Sequence, residues 1–185
     1  MQNDIELALR AKGGDEVAFS ELMQRHYKGI LNYAYRFTSG SENSEDITQE
    51  VFLRVYKSIG TYEPEAKFTT WLYKIATNLC LTKIKKIRKK DLSLDEISEN
   101  SGAITDSKSK SGYDLLYRRE LRDAILNSLS KLPEKERVAV TLSKYEGLSY
   151  NEIADVLDCS IGAVKTHIYR GRMKLVEDLN EFIGE

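Results

Sequence analysis

The sequence predicts an all-α protein of two small helical domains joined by a flexible linker. Only two prolines occur in 185 residues, and strand-like alternation of apolar and polar residues is scarce. Apolar residues recur instead at helical spacing between short turns. Residues 98–112, SENSGAITDSKSKSG, are polar and small and have no aromatic side chain, which is the composition of a linker. We therefore place the domains at residues 1–91 and 114–185, with the linker at 92–113.

Composition narrows the class of protein. Apolar residues make up 41% and charged residues 31%, so a folded, charge-rich protein is expected. Cys80 and Cys159 are far apart and no CxxC is present, which argues against disulfides and favours the cytosol. The polar start of the chain does not resemble a signal peptide, and no apolar run reaches membrane-spanning length. The expected location is cytoplasmic, without direct membrane insertion.

The sequence of the first domain predicts four helices. Residues 4–12 form a short one that Asp4 can cap, and residues 16–37 form a second that Asp15 can cap. A third helix begins at Asn43 or Ser44 and ends before Gly60. Apolar side chains at helical spacing are expected to be core or core edge in these two longer helices: Val17, Phe19, Leu22, Met23, Ile30, Leu31, Ala34, Phe37, Ile47, Val51, Leu53, Val55 and Ile59.

The fourth helix, residues 67–90, changes character along its length. Its first half carries an apolar stripe that includes Phe68, Trp71 and Leu72, and six of its last eight residues are basic. Aromatic faces beside a cationic run suit a strand of nucleic acid, whose bases stack and whose phosphates need cations. The stripe also fits a packed core, and the basic end also fits a favourable helix C-terminus. This stretch alone leaves both interpretations open.

The second domain begins with an amphipathic helix over residues 114–131 and a further helix from Pro133 to Tyr145. Ser149 and Glu152 then form a capping box, S-x-x-E, ahead of a helix of about nine residues. Residues 158–160 form a tight break, and Ser160 can cap a second, basic helix. A short capped helix, a three-residue turn and a basic helix are the pattern of a helix-turn-helix.

The second helix of this motif has two predicted faces. Residues at roughly helical spacing are expected to be buried: Ile161, Val164, Ile168, Gly171 and Leu175. The opposite face, with Ser160 as its cap, is expected to meet duplex DNA, the first residues at base edges and the later basic ones at phosphates: Gly162, Ala163, Lys165, Thr166, Tyr169, Arg170, Arg172 and Lys174. A helical hairpin with a solvated basic face is the alternative. His26, His167 and the two cysteines match no metal-ligand spacing, so no metal, cofactor or catalytic site is predicted.

Three motifs in order resemble a bacterial RNA polymerase sigma factor of the extracytoplasmic-function (ECF) type, a subfamily of the sigma-70 class. Residues 46–53, DITQEVFL, are similar to the core-docking helix of sigma domain 2. Residues 68–78, FTTWLYKIATN, are similar to the segment of that domain that melts the promoter and reads its −10 element. Residues 132–175 are similar to sigma domain 4. The ordered set covers nearly the whole chain.

The resemblance implies a division of labour between three sets of residues, and it implies no enzymatic activity. A docking set would bind the β′ clamp helices of core RNA polymerase: Asp46, Gln49, Glu50, Phe52, Leu53 and Arg54. A −10 set would hold the non-template strand, with one base flipped into a pocket: Tyr62, Lys67, Trp71, Lys74, Asn78, Lys85 and Arg88. A −35 set would read duplex DNA: Ser160, Ala163, Lys165, Thr166, Tyr169, Arg170, Arg172 and Lys174. Domain 4 would also meet the polymerase β flap, and an anti-sigma factor would hold the protein inactive.

Two other functions remain open from sequence. One is a conventional helix-turn-helix regulator that binds a duplex palindrome without polymerase. The other is a helical enzyme with a basic site for an anionic substrate, which would need a polar catalytic constellation that the sequence does not offer.

Overall fold

The computed structural model describes residues 3–38, 41–91 and 112–183. The helices in these segments are α1 (Asp4–Lys12), α2 (Glu16–Thr38), α3 (Ser41–Ser58), α4 (Phe68–Asp91), α5 (Gly112–Lys131), α6 (Glu134–Lys144), α7 (Tyr150–Leu157) and α8 (Ile161–Ile183), with a 3₁₀ turn at Ile59–Thr61. The described segments contain no strand, which confirms the all-α prediction. Most of the predicted linker lies outside the described residues, and its last two residues open α5.

Helices α1 to α4 form the amino-terminal unit. The long helix α2 packs along α3 and also contacts α1 and α4. Its periodic apolar face supplies a dry core in which Leu22 and Ile30 are almost completely buried. Tyr33 is fully buried as well, and its hydroxyl lies 2.7 Å from the Thr77 hydroxyl of α4. Because that hydrogen bond satisfies both buried hydroxyls, α2 and α4 are held in one register.

Helices α5 to α8 form the carboxyl-terminal unit. The helix α8 packs against α6, α7 and α5 in turn. Gly171 makes the crossing with α6 close, because a β-carbon there would lie only 2.7 Å from Cγ2 of Val140. A second, smaller apolar cluster joins Leu129, Leu132 and Val140.

The two units lie against each other. The helix α4 packs on α7, and α2 contacts α5. One cluster of buried apolar residues extends from α2 and α4 to Val138 and Leu142 of α6 and Ile153 of α7. The basic helix α4 therefore has a neighbour from the other half of the chain.

Some local predictions were wrong, each for a physical reason. Asn3, and not Asp4, caps α1, since its side chain accepts a hydrogen bond from the Ile5 amide. The helix α3 begins at Ser41, so Ser44 lies inside it and is fully buried.

Three residues expected in the core are exposed, because no element covers the side of the helix on which they lie. Val17 in the first turn of α2 is 74% exposed, and Ile161 at the start of α8 is 43% exposed. Leu53 of α3 is 52% exposed.

None of the helices within the described residues combines the length and the apolar character needed to cross a membrane.

Candidate nucleic-acid interface

The helix-turn-helix begins with a reciprocal cap on α7. The Glu152 carboxylate accepts a hydrogen bond from the Ser149 amide at 2.7 Å, and the Glu152 amide donates to the Ser149 hydroxyl at 3.4 Å. This confirms the predicted capping box. It fixes the start of α7, because two amides that the helix leaves without partners are satisfied.

The turn between α7 and α8 is tight because one residue adopts a left-handed conformation. Asp158 has φ +48°, and the next amide, of Cys159, donates to the Ala154 carbonyl at 3.1 Å. Ser160 then caps α8, since its hydroxyl accepts from the Ala163 amide at 3.2 Å. Each feature of the predicted motif is present.

The helix α8 presents one face to the core and one to solvent. Val164 and Ile168 are buried, and Gly171 lies against α6. Most of the predicted −35 set is exposed: Ser160, Lys165, Thr166, Tyr169, Arg170 and Arg172. Ala163 is half-buried. Lys174 forms an ion pair inside the carboxyl-terminal unit, because its ammonium lies 2.9 Å from the buried Glu136 carboxylate.

The loop before α4 contains an aromatic cluster that buries Tyr62, a residue predicted to contact the −10 strand. Tyr62 is completely buried, with its ring centroid 5.5 Å from that of Trp71 and 5.9 Å from that of Phe68. Its hydroxyl donates to the Ala66 carbonyl at 2.9 Å. Tyr62 therefore shapes the loop and does not offer a face to DNA. Trp71 is half-buried, at the edge of this cluster.

The remaining −10 residues line the surface of α4. Lys67 precedes the helix by one residue, and Lys74, Asn78 and Lys85 follow on the accessible side. Each of the three lysines forms an ion pair with the carboxyl-terminal unit: Lys67 with Glu152 at 3.0 Å, Lys74 with Asp158 at 2.7 Å and Lys85 with Glu134 at 3.3 Å. Arg88 belongs to α4, but its side chain lies outside the described part of the chain.

The docking set lies on the outer face of α3, with one exception. Asp46, Gln49, Leu53 and Arg54 are exposed. Phe52 is only 5% exposed and stacks on Tyr27 at 6.2 Å, so it supports α3 from beneath.

Glu50 is held within the chain by two cations. Its carboxylate lies 2.6 Å from Arg54 and 3.4 Å from Lys83. The hydrogen bond from Arg54 and the contact with Lys83 lower the pKa of Glu50 despite its partial burial. Glu50 therefore joins α3 to α4 as an ionised carboxylate.

Sequence reasoning missed a largely buried carboxylate that joins the two units, Glu146. Glu146 follows α6, and its side chain is only 9% exposed. It accepts a hydrogen bond from the Tyr73 hydroxyl of α4 at 2.5 Å and pairs with Arg36 of α2 at 3.1 Å. Residues 73 and 146 are far apart in sequence, so no helical spacing connects them. Burial raises the pKa of Glu146, and the hydrogen bond from Tyr73 and the charge of Arg36 only partly offset this.

This burial predicts a pH dependence of stability. A carboxyl group whose pKa is higher in the folded than in the unfolded state binds its proton more tightly when folded. Its contribution is therefore fully present below the ordinary pKa of 4.5 and is lost as the pH rises through the raised pKa. Glu146→Gln keeps a neutral side chain at every pH. We expect the free energy of unfolding of the wild type, relative to this variant, to fall as urea titrations move from pH 5 to pH 8. A difference that stays constant or grows with pH would contradict the assignment.

The described residues contain no group of three or more histidine, cysteine, aspartate and glutamate side chains placed to hold a metal ion. Cys80 and Cys159 are both free thiols, and burial raises the pKa of Cys80 to about 12.

Comparison with known proteins identifies the family to which this chain belongs. The profile described as "Sigma-70 region 2" matches residues 22–90, and the profile described as "Sigma-70, region 4" matches residues 122–175. The chain is 35% identical over 177 residues to the ECF RNA polymerase sigma factor SigW of Bacillus subtilis, covering 93% of this chain and 94% of that protein. It is 31% identical over 175 residues to the ECF RNA polymerase sigma-E factor of Escherichia coli, covering 91% and 90% of the two chains.

Solved structures show the same fold. CnrH, solved in complex with the cytosolic domain of CnrY, superposes with a TM-score of 0.74 at 24% identity, over 97% of this chain and 99% of that one. The sigma factor RpoE of Bartonella quintana, solved with the anti-sigma factor NepR, gives a TM-score of 0.70 at 23% identity, over 88% and 96%. The matched profiles fall on the units that hold α4 and the helix-turn-helix. The chain belongs to the extracytoplasmic-function sigma factors of the sigma-70 class.

Proposed function

We propose that this chain binds core RNA polymerase and directs it to promoters by binding DNA at two places. The −35 element would be read as duplex by α8, and the −10 element as a separated strand along α4. The observation that carries this proposal is the capped helix-turn-helix with its exposed basic face, in the same chain as a second cationic helix. The work would take place in the cytoplasm, where bacterial polymerase meets the chromosome.

The docking surface would be the outer face of α3. Leu53 and Tyr56 each expose about half of their surface there, at 52% each, beside the charged Asp46 and Arg54. An apolar anchor with charged neighbours is the usual composition of a binding hot spot. This supports the proposed contact with the β′ clamp helices.

Promoter opening would need no catalytic step by this chain. A protein that binds the unstacked strand better than the duplex shifts the melting equilibrium by that difference in binding free energy. The ammonium groups of Lys67, Lys74 and Lys85 would pair with phosphates, and Trp71 would offer the edge of its ring to a base.

An anti-sigma factor would regulate the protein. Two structures of the same fold were solved with a bound partner protein. RpoE is bound to NepR, which is named as an anti-sigma factor, and CnrH is bound to the cytosolic domain of CnrY. We propose a partner of that class for this chain.

Run-off transcription tests the proposed function. A transcript of defined length should appear when core polymerase and the purified chain are mixed with DNA from upstream of the chain's own gene. Neither protein alone should give this transcript. A conventional regulator would instead bind duplex DNA without polymerase and give no product. Absence of product across several candidate promoters would contradict the proposal.

Two substitutions on α8 separate base contacts from phosphate contacts. Lys165→Ala or Arg170→Ala is expected to weaken −35 binding by about 1–3 kcal/mol if the lost contact is to a base edge. The loss would then fall on the −35 sequence and spare unrelated duplexes, as measured by fluorescence anisotropy of holoenzyme on both. A phosphate contact would weaken both duplexes alike. If both variants bound the −35 duplex with wild-type affinity, the proposal that α8 reads DNA would be contradicted.

A further inference from the structure

The loop before α4, residues 62–67, is held by a lysine from the first helix of the chain. The Lys12 ammonium, in the last turn of α1, donates to the Tyr62 main-chain carbonyl at 2.8 Å. It also lies 3.2 Å from the Glu63 carboxylate. Lys12 and Tyr62 are 50 positions apart in the chain, so the contact joins two distant elements. One ammonium therefore serves two neighbouring acceptors at the start of this loop, which we call the entry loop.

Helix α1 gives this lysine a fixed base. Leu7 on its inner face is fully buried. At the start of the helix, the Asp4 carboxylate lies 2.9 Å from the Arg25 guanidinium and 2.8 Å from the His26 ring, both on α2. Because α1 is attached to α2 at its start and packed along its inner face, Lys12 at its other end is held in place relative to the rest of the unit.

The entry loop is held from the inside by Tyr62. The Tyr62 ring is completely buried against Phe68 and Trp71. Its hydroxyl donates to the Ala66 carbonyl at 2.9 Å, while its own main-chain carbonyl accepts from Lys12. The same residue thus contacts α4 through its ring and α1 through its backbone. The position of the loop relative to α4 therefore depends on both contacts.

The tip of the entry loop carries charge that opposes a nucleic-acid strand. Glu63, Pro64 and Glu65 are exposed there, and carboxylates repel phosphates. The ion pair with Lys12 neutralises Glu63, one of these two acids. The ring of Pro64 fixes one backbone angle between them. Lys12 therefore acts on both the shape and the charge of the loop.

We propose that Lys12 is a positioning residue for −10 reading: it holds the entry loop in the shape in which the bases of the separated strand are distinguished. This inference rests on the proposed −10 role of Lys67, which ends the loop, and of Trp71, on the helix that follows. It adds a residue of α1, which precedes the part of the chain that matches the region 2 profile, residues 22–90.

The strengths of the contacts predict an effect on selectivity more than on stability. The side chains of Lys12 and Glu63 are 31% and 68% exposed, so their ion pair contributes little to folding. The hydrogen bond from the ammonium to the Tyr62 carbonyl is charge-assisted and therefore stronger. Loops place functional groups less precisely than helices do, so base reading by a loop depends on the contacts that support it.

Fluorescence of the free chain tests the contact itself. Trp71 is the only tryptophan in the sequence, and its ring lies 5.5 Å from that of Tyr62, so acrylamide quenching reports on this cluster. Lys12→Met keeps an unbranched side chain and removes the donor, and we expect it to raise the quenching constant. Arg10→Met is the matched control, because Arg10 is a cation of the same turn of α1 that pairs with Asp15 at 2.6 Å. It should quench as the wild type does.

Transcription by holoenzyme tests the effect on base reading. Each −10 position is changed to each of the four bases, and the initial rates give the ratio of the best to the worst base. We expect Lys12→Met to lower this ratio at least about fivefold at one or more −10 positions, as loss of a charge-assisted hydrogen bond allows. Ratios at −35 positions should not change. A variant that merely folds less well would lower every rate and leave the ratios as they are. Arg10→Met should keep all ratios.

The inference is overturned if Lys12→Met is quenched like the wild type, or if it keeps the wild-type ratio at every −10 position. It is equally overturned if Arg10→Met changes the quenching and the ratios as much as Lys12→Met does. The quenching assay contains neither polymerase nor DNA. A failure of Lys12 to hold the loop therefore leaves the proposed promoter function standing, whereas a wild-type holoenzyme without transcript contradicts that function and not the contact.

Discussion

Gly171→Leu is expected to destabilise the carboxyl-terminal unit by about 3 kcal/mol or more and to abolish −35 binding. A β-carbon at this position would lie 2.7 Å from Cγ2 of Val140 and 3.4 Å from the Glu136 carbonyl. One of these neighbours is backbone, so the α6–α8 crossing has to open, and a leucine extends the clash further. A loss of this size is a large part of the stability of a small domain. Urea unfolding followed by circular dichroism would measure it.

Gly162→Ala is the matched control on the same helix. The nearest atom that its β-carbon would meet is the Ser160 hydroxyl oxygen at 3.8 Å, which is ordinary contact. We expect the free energy of unfolding to stay within about 1 kcal/mol of the wild type, since alanine also has the better helix propensity. Equal stability of the two variants would show that the crossing is not as close as the structure has it.

Leu53→Glu is expected to weaken binding to core polymerase by roughly 30-fold, which corresponds to about 2 kcal/mol, the threshold of a hot spot. Leu53 exposes 52% of its surface on the outer face of α3, where burying a new charge in an apolar contact would be unfavourable. The stability of the free chain should hardly change, because the side chain already faces water. Titration of labelled chain with core polymerase would give the dissociation constants.

Leu9→Glu serves as the comparison, because Leu9 of α1 is similarly exposed, at 45%, and is outside the docking set. This variant should bind core polymerase as the wild type does. If both glutamate variants lose affinity alike, or if neither does, the face of α3 is not the docking surface.

The helix-turn-helix was predictable in detail because its signals are local. The capping box joins residues three apart, and the Ser160 cap also bonds three residues ahead. Hydrogen bonds of this range depend on the residue types in one short stretch. The signals that predict the motif therefore lie within residues 149–163.

Contacts between distant residues were not predictable. Lys74 and Asp158, or Tyr73 and Glu146, meet only because α4 packs on the carboxyl-terminal unit, and helical periodicity carries no information about that packing. Tyr62 was misplaced on the DNA surface for a related reason. Its partners Phe68 and Trp71 are near in sequence, but only the folded loop brings the three rings together.

Periodicity also finds an apolar stripe without showing which part of it is covered. Leu53 and Val17 fit the core stripes of α3 and α2, yet both are exposed because no helix packs over them. Leu53 was at the same time assigned to the docking set by resemblance, and its exposure agrees with that role without testing it.

Permanganate reactivity of promoter thymines tests most directly whether this chain opens DNA by binding a separated strand. Holoenzyme made from core polymerase and this chain, on its own promoter and without nucleotides, should make −10 thymines of the non-template strand reactive while −35 thymines stay protected. Lys67→Ala with Lys74→Ala should reduce the −10 signal without changing −35 protection. Reactive thymines with core polymerase alone, or none with holoenzyme on a promoter that it transcribes, would contradict the claim that strand binding drives opening.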